Sequence, residues 1–559
     1  MGQLRCRRAG RVLALVFVAI LALAACGGGG GGGGGGQTDT VGEAGTPVSG
    51  GDLIDLQNFA QGEPDHIDPG LAGVIQGSQM TQLMWDGLTE NDYKTGELKP
   101  MVAESWSGNP EATQFVFKLR KDVKWSDGSP VLPSDFVRGW NRAIQKAFAS
   151  EIAYHFDPIK GKADVDAGKA TTMSGLKADD ANYTLTVDLA FPYSTFPLTT
   201  SHSVFSPVHK EVEKLKDQTK YEQGIMTGNG PYKLAEPWKH ERYIKLIRNE
   251  SYWGGLNKHQ AYLNTIEFRI SKDVDSAFSD FEAGTGQTGF IPPGRFAEVK
   301  AKYAGRVSDK PFLGTDAWTF NMKDPVVGGP DNLKLRQAIA LAIDKQAIVN
   351  TVHNGSRKVA MSWTPPGIPG YKEGLNANAN RDVNKAKQLL AEWGGASKIT
   401  KPIKLNFGAG AGHDPKATII QANLKELGIP SELTPGDTET YFSQMREGKG
   451  QFLRNGWIWD YVSYDNGMYS LYHSKAIGGD NLAQYSNPDF DKLVDQARAA
   501  TDPAQANELY TQAEQLILTD VVVVPLTWYA GQVAYSEQLK NVIQSPLDFF
   551  AYDEMWLQQ

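Results

Sequence analysis

Ten residues, Phe452 to Tyr461, hold the densest potential chemistry in the chain: Phe-Leu-Arg-Asn-Gly-Trp-Ile-Trp-Asp-Tyr. A cation, Arg454, and an acid, Asp460, flank a glycine and two indoles. Two readings suit such a segment. One is a buried strand with a polar end. The other is a ligand-facing strand, in which Gly456 admits a partner and Asp460 receives a cation. Catalytic patterns are missing elsewhere. There is no Gly-x-x-x-x-Gly-Lys-Ser/Thr, no Gly-x-Ser-x-Gly elbow and no His-Glu-x-x-His. Gly408 to Gly412 follows a predicted strand, but His413 stands where a dinucleotide loop needs its third glycine, so a plain turn fits better. His209, beside Glu211 and Glu213, reads as part of a charged, solvated helix face. No local carboxylate pair marks a general acid and base. The balance favours binding over catalysis, with no metal or cofactor expected.

The amino end carries chemistry of another kind. Arg5, Arg7, Arg8 and Arg11 precede an apolar run from Val12 to Ala25, too short for a membrane span and suited to an export signal. Leu23-Ala24-Ala25-Cys26 resembles the lipobox of bacterial lipoproteins, which implies cleavage before Cys26 and lipidation of its sulfur. Residues 1–25 are then the signal, and the Gly-rich stretch 26–51 a flexible lipidated tether. Cys6 leaves with the signal, so no disulfide, zinc cluster or thiol nucleophile remains. Removing the four arginines leaves 52 Lys and Arg against 64 Asp and Glu, a net charge of −12. That disfavours nucleic acid as a partner. The expected location is extracytoplasmic, anchored to the cell membrane through Cys26.

The elements that must position Phe452–Tyr461 are mixed. Residues 115–119, 183–189, 264–270 and 402–407 alternate as half-buried strands do. Val521 to Val524 suits a buried strand closed by Pro525. Asp331-Asn332 can cap a helix that runs through Leu335, Ile339 and Ile343 toward Asn354-Gly355. Further helices are expected over 385–393, 415–427, from Asn487-Pro488 and from Thr501-Asp502-Pro503. The class is α/β. More than 500 residues past the tether exceed one core, so two or three domains are expected.

An ordered series of segments resembles the bacterial extracellular solute-binding proteins of family 5. It includes Glu63-Pro64-Asp65-His66-Ile67-Asp68-Pro69, Asp86-Gly87-Leu88-Thr89-Glu90, Phe115 to Val131, Gly228-Asn229-Gly230-Pro231-Tyr232 and Ala342-Ile343-Asp344-Lys345. The resemblance implies a two-lobed periplasmic-binding-protein-like fold (type II, cluster C) with an extra subdomain in the first lobe. Lobe I would take 52–91, 195–311 and 525–559, the extra subdomain 92–194, and lobe II 312–524. Within the family the chain is most similar to oligopeptide-binding proteins of ABC importers. Arg454, Gly456, Trp457, Asp460 and Tyr461 match their Arg-x-Gly-Trp-x-x-Asp-Tyr motif.

The resemblance implies that Asp460 grips a peptide's α-ammonium and that Gly456, Trp457 and Ile458 hydrogen-bond its backbone. It further implies that Arg454, and Arg446 as a second match, meet a carboxylate, and that Gly73, Val74 and Ile75 form the opposite wall. Val462-Ser463-Tyr464-Asp465 departs from the family's acidic-Pro stretch. The implied partners are a peptide ligand, ABC permease subunits and the membrane lipid, with the protein a monomer. Alternatives on the same scaffold are dipeptides, an oligosaccharide or a nickel chelate; a secreted hydrolase is a third reading.

Overall fold

The computed structural model describes residues 45–409 and 412–558. The signal, Cys26 and most of the tether lie outside the described residues. Gly50 and Gly51, assigned to the tether by composition, are already held: the Gly50 N–H donates to the Tyr262 carbonyl at 2.7 Å and the Asn264 N–H to that of Gly51 at 2.8 Å. Two backbone bonds to the coming sheet fix what composition alone reads as free chain.

Two seven-stranded sheets organise the protein. The first runs, in spatial order, Val307–Ser308, Val533–Tyr535, Thr288–Phe290, Asp52–Leu56, Thr265–Arg269, Tyr243–Arg248 and Tyr232–Leu234. The second runs Lys358–Val359, Val523–Ala530, Pro311–Phe320, Phe452–Arg454, Ile403–Gly408 and Ser431–Gly436, with Trp457–Ile458 also paired to Pro311–Phe320. A four-stranded antiparallel sheet, built on Gln114–Leu119 and Thr184–Asp188, shares a hydrophobic core with the first. The second sheet has cores of its own. The chain passes from the first sheet to the second between Ser308 and Pro311, and back between Ala530 and Val533. Among the described residues no helix is long and apolar enough to cross a membrane.

Most predicted elements form, and the differences have local causes. The valine run does not stop at Pro525. The strand is Val523–Ala530, and its pairing with Pro311–Phe320 shifts register between Asp316 and Ala317, where Pro525 sits. A register shift tolerates the missing N–H. The second sheet therefore extends past residue 524, the boundary expected for lobe II. The helix expected from Asn332 to Asn354 is two, Leu333–Ala342 and Lys345–Thr351. Asp344 breaks it by capping the second: its carboxylate accepts the Ala347 N–H at 2.8 Å. His209 is not on a solvated face. It is buried, with Nε2 3.6 Å from Asp127 and Nδ1 accepting the Glu211 N–H.

One buried ion pair bears on the site. Arg142, on the helix Pro133–Ala143, forks onto Asp68 at 2.8 and 2.5 Å. Both are buried, and the bidentate geometry fixes the loop that leads into the helix Ile75–Met84.

Candidate functional site

The segment singled out by composition forms two short strands, Phe452–Arg454 and Trp457–Ile458, in one register. Trp318 faces Arg454, Thr315 faces Trp457 and Gly314 faces Ile458 along Pro311–Phe320. That register sets Gly456 opposite Asp316. A Cβ at Gly456 would stand 2.2 Å from the Tyr529 hydroxyl and 2.6 Å from Arg454 Nη2. Glycine is needed here because two side chains, rather than a partner backbone, fill that space. The outer edge of Trp457–Ile458 pairs with no strand among the described residues.

At the Arg454 end a charge cluster forms on Asp316, which is fully buried. Lys416 Nζ donates to it at 2.6 Å and Arg454 Nε at 3.2 Å, while Arg357 Nη1 lies 3.9 Å away. Arg454 Nη2 also donates to the Tyr529 hydroxyl at 2.5 Å. Burial alone would raise the Asp316 pKa; Lys416, Arg454 and Arg357 outweigh it and hold the carboxyl well below the usual range. Burial pushes Lys416 down to about 8. His413 is driven well below its ordinary value by burial and then by Arg454 and Lys416, so it stands neutral. One carboxylate thus faces three cations, and Asp548, a second carboxyl on the cavity wall, is raised to about 7 by burial, so the surplus is positive.

A cavity of about 270 Å³ opens onto this cluster. One wall comes from the second sheet and its helices: Phe312, Arg357, His413, Lys416, Arg454, Ile458 and Tyr529. The other comes from the first-sheet half, including Asn58, Ile75, Gln79, Gln532 and Phe550. Of the residues expected at the site, Arg454, Ile458 and Ile75 line it. Val74 precedes the helix Ile75–Met84 without a side-chain cap, and the Gly73 N–H donates to Asp65 at 2.9 Å; neither is on the cavity wall.

Asp460 stands apart from that cavity. Its side chain is 25% exposed and has no lysine or arginine within ion-pair distance among the described residues. Asn466 Nδ2 donates to Oδ2 at 2.7 Å, and His202 Nε2 lies 4.0 Å from Oδ1. Burial raises its pKa to about 7, against the Asn466 hydrogen bond, with nearby Asp480 adding to the rise. His155 stacks on His202 with ring centroids 4.4 Å apart. His155, His202 and Asp460 bring ligating atoms within 4.8 Å of one another, the spacing of a metal site. His202 does not suit that role. Its Nδ1 accepts the Val204 N–H at 3.1 Å, so Nε2 carries the proton and lacks a free lone pair toward Asp460.

Two expected ligand contacts fall elsewhere. Tyr461 is buried, its hydroxyl on Asp465 at 3.0 Å, and it belongs to the wall behind the site. Arg446 turns away from the cavity and pairs with Glu151 and with Asp480 at 3.4 Å. Trp457 is half-buried, its Nε1 donating to Asn466 at 2.7 Å.

Asp316, Arg357, His413, Lys416 and Tyr529 escaped the sequence reading. Two carried a signal. Lys416 shares a helix face with Ala417, Ile420 and Leu424, and Asp316 is the one charge in the buried strand Pro311–Phe320. A charge on an apolar stripe must find a buried partner.

The sequence model of the bacterial extracellular solute-binding proteins, family 5, middle region, matches residues 97–479. The oligopeptide-binding protein OppA of Bacillus subtilis strain 168 is 28% identical, over 86% of this chain and 88% of that protein. The periplasmic oligopeptide-binding protein OppA of Salmonella typhimurium is 31% identical, over 86% and 89%. Among solved structures, Haemophilus influenzae OppA in complex with RPPGFSPFR superposes with a TM-score of 0.78 at 26% identity, covering 91% of this chain and 99% of that one.

Proposed function

Given that the chain belongs to the bacterial extracellular solute-binding proteins of family 5, and so to binding proteins rather than enzymes, we propose that it captures oligopeptides and hands them to a membrane ABC permease. The observation that carries this reading is a strand edge, Trp457–Ile458, that pairs with no further strand among the described residues, with a surplus of positive charge at the Arg454 end and, beyond the other, a carboxylate, Asp460, that no described lysine or arginine pairs. A peptide of any sequence offers constant groups: amide N–H and C=O along its length, an ammonium at one end and a carboxylate at the other. Adding it as a strand pairs the amides and leaves its side chains to the cavity. The carboxylate would meet Arg454 and Lys416, with neutral His413 beside them. The ammonium would meet Asp460, because a charge leaving water needs a fixed partner.

The relatives' names and the peptide in the Haemophilus structure support the same ligand class. In this reading 312 to about 530 is the second lobe and 92–194 the extra subdomain. The lobes close on the ligand about the two crossings. The protein works as a monomer tethered through lipidated Cys26. Calorimetry against short peptides with free, N-acetylated and C-amidated ends tests the assignment. Free peptides should bind far more tightly than either blocked form; equal affinities would overturn it.

A further inference from the structure

The stretch after Tyr461, where the chain departs from its family's pattern, forms the start of the helix Tyr464–Tyr472. Two consecutive, fully buried residues in its first turn face in different directions. Asn466 faces the site. Its Nδ2 donates to Asp460 Oδ2 at 2.7 Å, and its Oδ1 accepts the Asp460 N–H at 3.0 Å and Trp457 Nε1 at 2.7 Å. One side chain therefore fixes the carboxylate, its backbone and the adjoining indole.

Asp465 faces the other half of the molecule. Its Oδ2 accepts the Tyr193 hydroxyl at 2.5 Å and that of Tyr461 at 3.0 Å. Its Oδ1 accepts the Tyr510 hydroxyl at 2.9 Å, with Arg498 Nε 3.2 Å away. Of these four partners only Tyr193 comes from the half that carries the four-stranded sheet. Its neighbour Ser194 adds two bonds to the backbone of the second half, N–H to Arg498 at 3.1 Å and hydroxyl to Ala500 at 2.6 Å.

The imbalance is informative. If the halves part, Asp465 keeps two hydroxyls and a guanidinium, so no orphaned buried charge results. Tyr193 loses one bond and the Arg498 guanidinium 4.2 Å from its ring centre, and Ser194 loses two bonds; water can replace all three hydrogen bonds. The contact is separable at small cost, as a structural ion pair such as Arg142–Asp68 is not.

Building on the peptide reading, we propose that this helix turn couples anchoring to closure: Asn466 is the positioning residue for Asp460, and Asp465 latches the closed arrangement by taking the Tyr193 hydroxyl. Because the two residues are adjacent, a ligand that orders Asp460 also orders the turn that receives Tyr193.

The test uses the full chain with tetra-alanine, free and N-acetylated, in stopped-flow and calorimetry. Tyr193→Phe should raise the dissociation rate roughly tenfold, because the closed arrangement loses its latch. Asn466→Ala should bring the free-to-acetylated affinity ratio close to one, with Asn466→Ser used in its place if the alanine variant does not fold. A wild-type dissociation rate in Tyr193→Phe, or a wild-type ratio in the Asn466 variant, would overturn the proposal. If the wild-type protein binds no free peptide, the peptide reading itself fails. The latch is then decided by small-angle scattering of the ligand-free chain: a larger radius of gyration in Tyr193→Phe supports it, and an unchanged one overturns it.

Discussion

Asp316 and Asp460 lie at opposite ends of one short strand edge and in opposite electrostatic states. Asp316 is fully buried and meets Lys416, Arg454 and Arg357. Asp460 is a quarter exposed and, among the described residues, meets only an amide and a neutral imidazole. The first has its charges assembled before any ligand arrives. The second is short of a cation. Preassembly makes Asp316 a pillar of the fold that gathers the cations setting the sign of the cavity, whereas the shortage at Asp460 is a demand that only a ligand can meet. The pKa directions follow: Asp316 is held well down and Asp460 is raised to about 7.

The comparison can be broken most forcefully at Asp316. Asp316→Asn leaves three cations clustered without a buried counter-charge, and unfolding free energy by urea titration should fall by about 3–5 kcal/mol. A loss under 1 kcal/mol would mean that Asp316 is no pillar. Asp460→Ala should spare stability and instead reduce affinity for free peptides by about 2–5 kcal/mol, read by calorimetry. A variant that binds normally would remove Asp460 from the site.

Gly456→Ala tests the ground between the two. Its Cβ must displace the Tyr529 hydroxyl or the Arg454 guanidinium, a cost of about 1–3 kcal/mol in binding, and the loss should largely vanish for C-amidated peptides. The smallest effect is on pH dependence. Below pH 7 the ligand-free Asp460 is protonated and must lose that proton to pair with an ammonium. Affinity should therefore fall as pH drops through 7 toward 5, by up to about tenfold per unit, and Asp460→Asn should flatten the profile. The stability signs differ as well. A raised folded pKa means that Asp460 costs the empty protein stability as pH rises from about 4 to 7. The depressed pKa of Asp316 gives stability present above its unfolded value and lost as pH falls through its folded one.

Much of this was legible in order of residues. Strands such as Gln114–Leu119 and helices such as Pro488–Ala499 follow from alternation, caps and periodicity, which are local. The Arg454–Tyr461 segment stood out by composition, and the ordered motifs pointed to the family. Register and partners were not legible. Tyr461 matches a ligand-cleft motif yet turns to Asp465, and Arg446 matches a second arginine yet turns to Glu151 and Asp480.

By itself the sequence determined which segments become strands and helices, the family they assemble into, and that an arginine and an acid bracket one glycine. Tertiary structure alone decided that Asp316, Arg357, His413 and Lys416 gather beside that arginine, and that the acid faces no cation among the described residues. Secondary structure is written in spacings of two to four residues. Ionisation and pairing depend on which distant side chains share a buried volume, and no local spacing encodes that.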